Sequence, residues 1–117
     1  MTSTSKMERT RYVIAYYHYE RMFREDELRK IFTYQLNRLF GIKGSLDMGF
    51  FLVWAHPSDA ILVLRSSHDN INKLLCCTFF ISEFMDKPLS IIPLKTTGSI
   101  KKAKAVALSI NWNDQIK

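Results

Sequence analysis

The chain has 117 residues, seventeen Lys plus Arg against eleven Asp plus Glu, and a formal charge of +6. One domain's length with 47% apolar residues supports a real core and excludes wholesale disorder. No stretch approaches the roughly 18 apolar residues of a membrane span, and polar Met1 to Glu8 has no apolar signal region, so neither insertion nor secretion is expected. The basic balance favours an anionic partner, nucleic acid or an acidic membrane, over a protein that merely happens to be basic.

Residues 1–9 read as a flexible basic arm, 10–111 as one domain and 112–117 as a polar tail. Arg11 to Tyr19 (RYVIAYYHY) is β-branched and aromatic, and large side chains on both faces predict a central strand. Arg24 to Phe40 is a helix: Leu28, Ile31, Phe32, Leu36, Leu39 and Phe40 share one face, and Glu25, Asp26 and Glu27 suit the dipole in its first turn. Gly41 is placed to end it, and Lys43 to Asp47 is expected as a loop. Met48 to Ala55 and Ala60 to Arg65 form a hairpin turning at His56-Pro57-Ser58-Asp59.

Ser67 or Asp69 is expected to cap a second helix running to about Met85, with Ile71, Leu74, Leu75, Thr78, Phe79, Ser82 and Met85 inward. Phe80 and Phe84 widen its apolar surface, and that breadth predicts a protein contact there. Leu89 to Thr97 is a fourth strand, and Pro93 assigns it to a sheet edge. Ile100 to Ile110 is a short third helix. The order β-α-β-β-α-β plus a terminal helix predicts an α+β, ferredoxin-like (RRM-like) antiparallel sheet with two packed helices and a C-terminal helix.

Adjacent Cys76 and Cys77 bridge poorly and read as small buried hydrophobes in a reducing compartment. His18, His56 and His68 stand at no ligand spacing to a Cys or carboxylate, so neither metal nor cofactor is expected. There is no phosphate-cradling glycine motif and no nucleophile elbow, hence no catalytic residue to name. Gly49 to Trp54 (GFFLVW) is weakly similar to the RNP1 signature, but Met48 and Phe51 break the pattern, which also falls on the wrong strand. Phe50, Leu52 and Trp54 should share one face and Phe51 and Val53 the other, with core packing favoured over base stacking.

The most informative stretch is Thr96 to Lys104, TTGSIKKAK. Gly98 allows a sharp turn, and Thr97 or Ser99 can cap the next helix. That helix presents free amides to an anion, and Lys101, Lys102 and Lys104 add cations. An ordinary capped helix with a solvated lysine face is the plain alternative. Arg38 and Lys43 form a second basic group, explicable for Arg38 by its place at a helix C-terminus.

Four stretches together resemble the small ferredoxin-like (Pop-five type) protein subunit of archaeal and eukaryotic ribonuclease P and ribonuclease MRP. They are Arg11-Tyr12-Val13, Leu39-Phe40-Gly41-Ile42-Lys43-Gly44, Ala60 to Arg65, and Thr97-Gly98-Ser99-Ile100-Lys101-Lys102-Ala103. The hydroxyl residues flanking Gly98 are exchanged relative to the family's Ser-Gly-Thr, which keeps the chemistry. The resemblance spans roughly Arg11 to Ala105. It implies a non-catalytic, RNA-binding subunit supporting the catalytic RNA in 5′-leader removal from precursor tRNA, and in rRNA processing if the particle is ribonuclease MRP. It implies as partners that RNA, other protein subunits, above all a TIM-barrel-like one, and precursor tRNA indirectly. Residence would be the nucleus or nucleolus in a eukaryote and the cytoplasm in an archaeon. By carry-over, Thr97, Gly98, Ser99, Lys101 and Lys102 meet RNA, with Arg11, Arg38 and Lys43 behind them. The competing function is an autonomous RRM-like module stacking single-stranded RNA on Phe50 or Trp54. An enzyme reading lacks its ligand cluster.

Overall fold

A computed structural model describes residues 9–56 and 59–109. Residues 1–8 of the expected arm, Pro57 and Ser58 of the turn, Ile110 of the third helix and the polar tail lie outside them. The sheet is antiparallel, in the order β2 (Phe51–Ala55), β3 (Ile61–Ser67), β1 (Thr10–His18), β6 (Ser90–Thr97). Helices α1 (Glu25–Asp47) and α2 (Ile71–Phe80) share a core with one face, and α3 (Ile100–Ser109) packs on the other. A hairpin of β4 (Glu83–Phe84) and β5 (Lys87–Pro88) joins α2 to β6. This is the expected ferredoxin-like α+β plan with one added helix.

The third helix explains why β1 is apolar on both sides. Val13, Ala15 and Tyr17 point into the α1–α2 core, whereas Ile14 meets Ala103 and Ala107 of α3, with Tyr12 and Tyr16 beside them. Full burial of a side chain such as Val13 or Ile14 contributes about 1.5–3 kcal/mol, so β1 anchors both layers. Pro93 does lie on an edge strand. It faces Ala15 at a bulge, since Ile14 pairs with Lys95 and the next residue, Ala15, with Pro93.

At the start of α1 the Arg24 amide donates to Glu27 Oε1 at 2.9 Å, while Arg21 grips the same carboxylate with both terminal nitrogens at 3.0 and 2.9 Å. Arg21, then the Arg24 amide, holds the Glu27 carboxyl down at about 2. Gly41 ends the first helical run as expected, at φ +76° and ψ 167°, a conformation open to glycine and strained for any side chain.

Four boundaries differ from expectation. The segment after Gly41 is helical rather than a loop, continuing to Asp47 with a Lys43–Asp47 ion pair at 3.2 Å one turn apart. Strand β2 therefore begins at Phe51 and not Met48. Met48 is fully buried, and its carbonyl accepts the Ser67 amide at 2.8 Å. A 3₁₀ turn (His68–Asn70) precedes α2, and neither Ser67 nor Asp69 caps that helix through its side chain; Ser67 Oγ instead accepts from Asn70 at 2.7 Å.

The largest difference is the end of α2, which stops at Phe80, five residues short of Met85. Met85 and Asp86 take positive φ, 50° and 65°, as a type I′ hairpin turn requires. The physical reason is tertiary. The hairpin carries Phe84 to Phe23 and Tyr19, at ring-centroid distances of 5.3 and 6.0 Å, and the Tyr19 hydroxyl donates to the Phe84 carbonyl at 2.8 Å. A continued helix would forfeit these contacts. Phe79, expected inward, is 82% exposed, and Cys77 takes its place in the core. Both cysteines are free, and burial pushes the Cys77 thiol up to about 12.

Candidate nucleic-acid interface

The residues expected to meet an anion gather mainly where β1 begins and β3 and β6 end. Across the sheet, Thr97 pairs with Tyr12, and Arg11, next to Tyr12, pairs with Ser66. Ser99 caps α3: its hydroxyl accepts the Lys102 amide at 3.2 Å, and its carbonyl the Ala103 amide at 2.9 Å. Lys101 and Lys102 are exposed in the first turn, Lys104 one step further, while Ala103 and Ala107 bury the opposite side of the helix. With the Lys102 amide taken by Ser99, the amides of Ile100 and Lys101 are the ones left at the start of α3 beside the two ammonium groups.

Gly98 serves a purpose other than a sharp turn. Its φ is ordinary, but a Cβ there would lie 3.3 Å from Arg11 Nη1. Glycine lets the Arg11 guanidinium settle against the backbone that enters α3, while Arg11 also donates to the Thr10 carbonyl at 3.1 Å. Thr97 is 8% exposed, and its hydroxyl accepts the Ser99 amide at 2.9 Å and donates to the Ser99 carbonyl at 3.2 Å. It shapes the turn rather than facing solvent.

Lys43 sits at the same end, in the last turns of α1, ion-paired to Asp47. Arg38 does not join it. Its guanidinium stands 5.9 Å from the Tyr34 ring centroid, and it lines a groove of about 470 Å³ between α1 and the hairpin. That groove is also lined by Lys30, Tyr34, Phe80, Phe84 and Met85, so Phe80 and Phe84 share one surface, although Phe84 comes from the hairpin and not from α2.

Phe50 and Trp54 are occupied by packing. Phe50 stacks on Phe32 at 5.4 Å, and Trp54 joins the cluster under α3. They do not share a face, because a bulge between Leu52 and Trp54 resets the alternation. Arg65 joins the candidate residues at this end, although its sequence context did not single it out. It lies between Tyr12 and Phe51 in register, and its place at the end of an apolar strand was the available signal. Among the described residues Arg9, Arg11, Arg65, Lys101 and Lys102 form no ion pair. No group of three His, Cys, Asp or Glu among them could hold a metal, and no helix among them is long and apolar enough to cross a membrane.

A family model described as Rpp14/Pop5 matches residues 11–108. Ribonuclease P protein component 2 of Methanocaldococcus jannaschii is 29% identical over 103 residues, 88% of this chain and 75% of that protein. A chain in the cryo-EM structure of yeast ribonuclease MRP superposes with a TM-score of 0.58 over 92% of both chains at 15% identity, a likeness of fold.

Proposed function

The chain belongs to the Rpp14/Pop5 family, and we propose that it is a protein subunit of ribonuclease P/MRP that binds the particle's RNA without catalysing the cleavage itself. The observation that carries this role is the gathering of Arg11, Gly98, Lys101 and Lys102 around a capped helix start, with no acid paired to the cations. Hydroxyl-shaped turns, free amides and unpaired cations suit a phosphodiester backbone, which such contacts position without reading sequence. Thr97 and Ser99 shape the turn, Lys104 extends the basic edge, and Lys43 borders it.

The chemistry of cleavage then belongs to the RNA and its metal ions, and precursor tRNA is met indirectly. The groove with Phe80 and Phe84, rimmed by Arg38 and Lys30, is the surface for a neighbouring protein subunit, the TIM-barrel-like one by family resemblance. The particle works in the nucleus or nucleolus of a eukaryotic source, or in the cytoplasm of an archaeal one.

The test is to tag the protein in its own cells, purify it gently, sequence the RNA that accompanies it and assay precursor-tRNA leader cleavage. One abundant structured RNA with cleavage in the same fraction is expected; unrelated transcripts or no RNA would sink the role. The purified double variant Lys101→Ala/Lys102→Ala should bind that RNA more weakly, with the salt slope reduced by about two. An unchanged slope would remove the Gly98 turn from the interface.

A further inference from the structure

Edge strand β2 opens on Phe51, which remains 47% exposed while Leu52 is buried and Trp54 packs under α3. Phe51 pairs with Arg65, Arg65 with Tyr12, and Tyr12 with Thr97. Directly paired residues share a face, so these four side chains form one row across the whole sheet, on the side that carries α3. The row is about 14 Å long, three strand spacings, and it ends at the turn where Arg11 lies against Gly98.

Two guanidiniums attend the exposed ring. Arg65 Cζ is 5.4 Å from its centroid, and Arg29 Cζ, from α1, is 5.8 Å away. Arg65 has no ion pair among the described residues, and Arg29 has only an exposed contact with Glu25 at 3.4 Å. A lone exposed phenylalanine needs no explanation. This one stands with two cations at the far end of a row that begins in the phosphate-type site. Aromatic faces and guanidinium planes are what an unpaired base stacks on, and the same cations attract its flanking phosphates.

We propose that Phe51, with Arg65 and Arg29, stacks an unpaired nucleobase of the RNA whose backbone is held at the Gly98 turn. This rests on the RNA-binding role above and adds a single-stranded element to it. The occupant is RNA rather than protein because Arg65 beside the ring has no acid partner among the described residues, and its row leads through Tyr12 and Thr97 to the basic Gly98 turn.

The test uses the full chain with two probes, a single-stranded uridine 12-mer and a blunt RNA duplex of the same length. Phe51→Ala should weaken binding of the single strand about fivefold to 150-fold, the usual loss for one base–aromatic stack, with its salt slope and the duplex affinity unchanged. Lys101→Ala/Lys102→Ala should weaken both probes and lower the slope. Phe51→Leu, which keeps apolar bulk without a π face, should behave as Phe51→Ala does. Phe51→Trp should keep full affinity, and its emission above that of Trp54 and Trp112 should be quenched by the single strand.

Wild-type affinity in Phe51→Leu, or an unquenched tryptophan at saturating RNA, overturns the proposal, and these two variants decide if Phe51→Ala fails to fold. If the wild type binds both probes and every Phe51 variant matches it, stacking alone falls. If the wild type binds neither, the RNA-binding role falls and takes the stacking site with it. Loss of a co-purifying protein with RNA binding unchanged would also overturn it and make Phe51 a protein contact.

Discussion

Where β1 ends and β3 and β6 begin, charge is balanced on the spot. Glu20, Glu25, Asp26, Glu27, Asp59, Glu83 and Asp86 all fall in or beside the connections there, and Arg21 and Arg24 are paired to Glu27 and Asp26 at 2.9 and 3.1 Å. At the opposite end Arg9, Arg11, Arg65, Lys101 and Lys102 have no pairing acid among the described residues, where Asp47 and Asp69 are the acids that fall in or beside the connections. The first arrangement knits loops together. The second stores like-charge repulsion that the proposed RNA contact would relieve. On the proposed function, stability and binding would then be separated along the strand axis.

Three changes probe that separation. Phe23→Ala, at the balanced end, removes a buried ring lying 4.5 Å from Tyr19 and 5.3 Å from Phe84 by centroid. Denaturant titration should show a loss of about 3 kcal/mol, the low end for a buried phenylalanine, with RNA affinity of the folded protein unchanged. A fall in affinity would show that the two ends are coupled.

Glu27→Gln should cost about 1 kcal/mol at pH 7, since it loses an ion pair and weakens the cap at the start of α1. The sign of its pH dependence follows from the depressed carboxyl. Folding lowers the group from 4.5 to about 2, so its contribution is present above pH 4.5 and lost as pH falls toward 2. Wild type and variant should therefore converge in acid. Parallel stability curves across that window would remove Arg21–Glu27 from the balance.

The smallest effect belongs to Gly98→Ala. The added methyl meets the mobile end of Arg11 at 3.3 Å, so a shift of a few tenths of an ångström relieves it. Stability should change by less than about 0.5 kcal/mol, while RNA affinity falls about twofold as the guanidinium is displaced from the turn. Affinity equal to wild type in a careful titration would mean that Arg11 contacts no phosphate.

The pattern of apolar residues carried most of the fold because β1 and the run of α1 before Gly41 obey one period each. Doubly apolar β1 is central, and Pro93 marks an edge, for local reasons that the sheet respects. The TTGSIKK stretch was legible for the same reason, since a cap is set by residues within one turn. What escaped depends on distant partners. Nothing in Ile81 to Met85 announces that Tyr19 and Phe23 will draw Phe84 into a hairpin. The bulge in β2 hides the register that aligns Phe51 with Arg65, because alternation assumes that no residue is skipped. Arg38 looked like a partner of Lys43 in sequence, yet its guanidinium turns to Tyr34 instead.

The central place of β1 has a consequence for how the subunit is made. Tyr12 finds its neighbours at Arg65 on one side and Thr97 on the other. During synthesis the first strand must therefore wait, unpaired on one side, until Thr97 and Gly98 have been added, because the late β6 is its second partner. The basic row assembles only when that strand docks. A stalled or truncated chain carries the same arginines scattered on an unfinished sheet and offers RNA no shaped site. Incorporation into the particle would then act as an inspection step, admitting subunits whose sheet is closed.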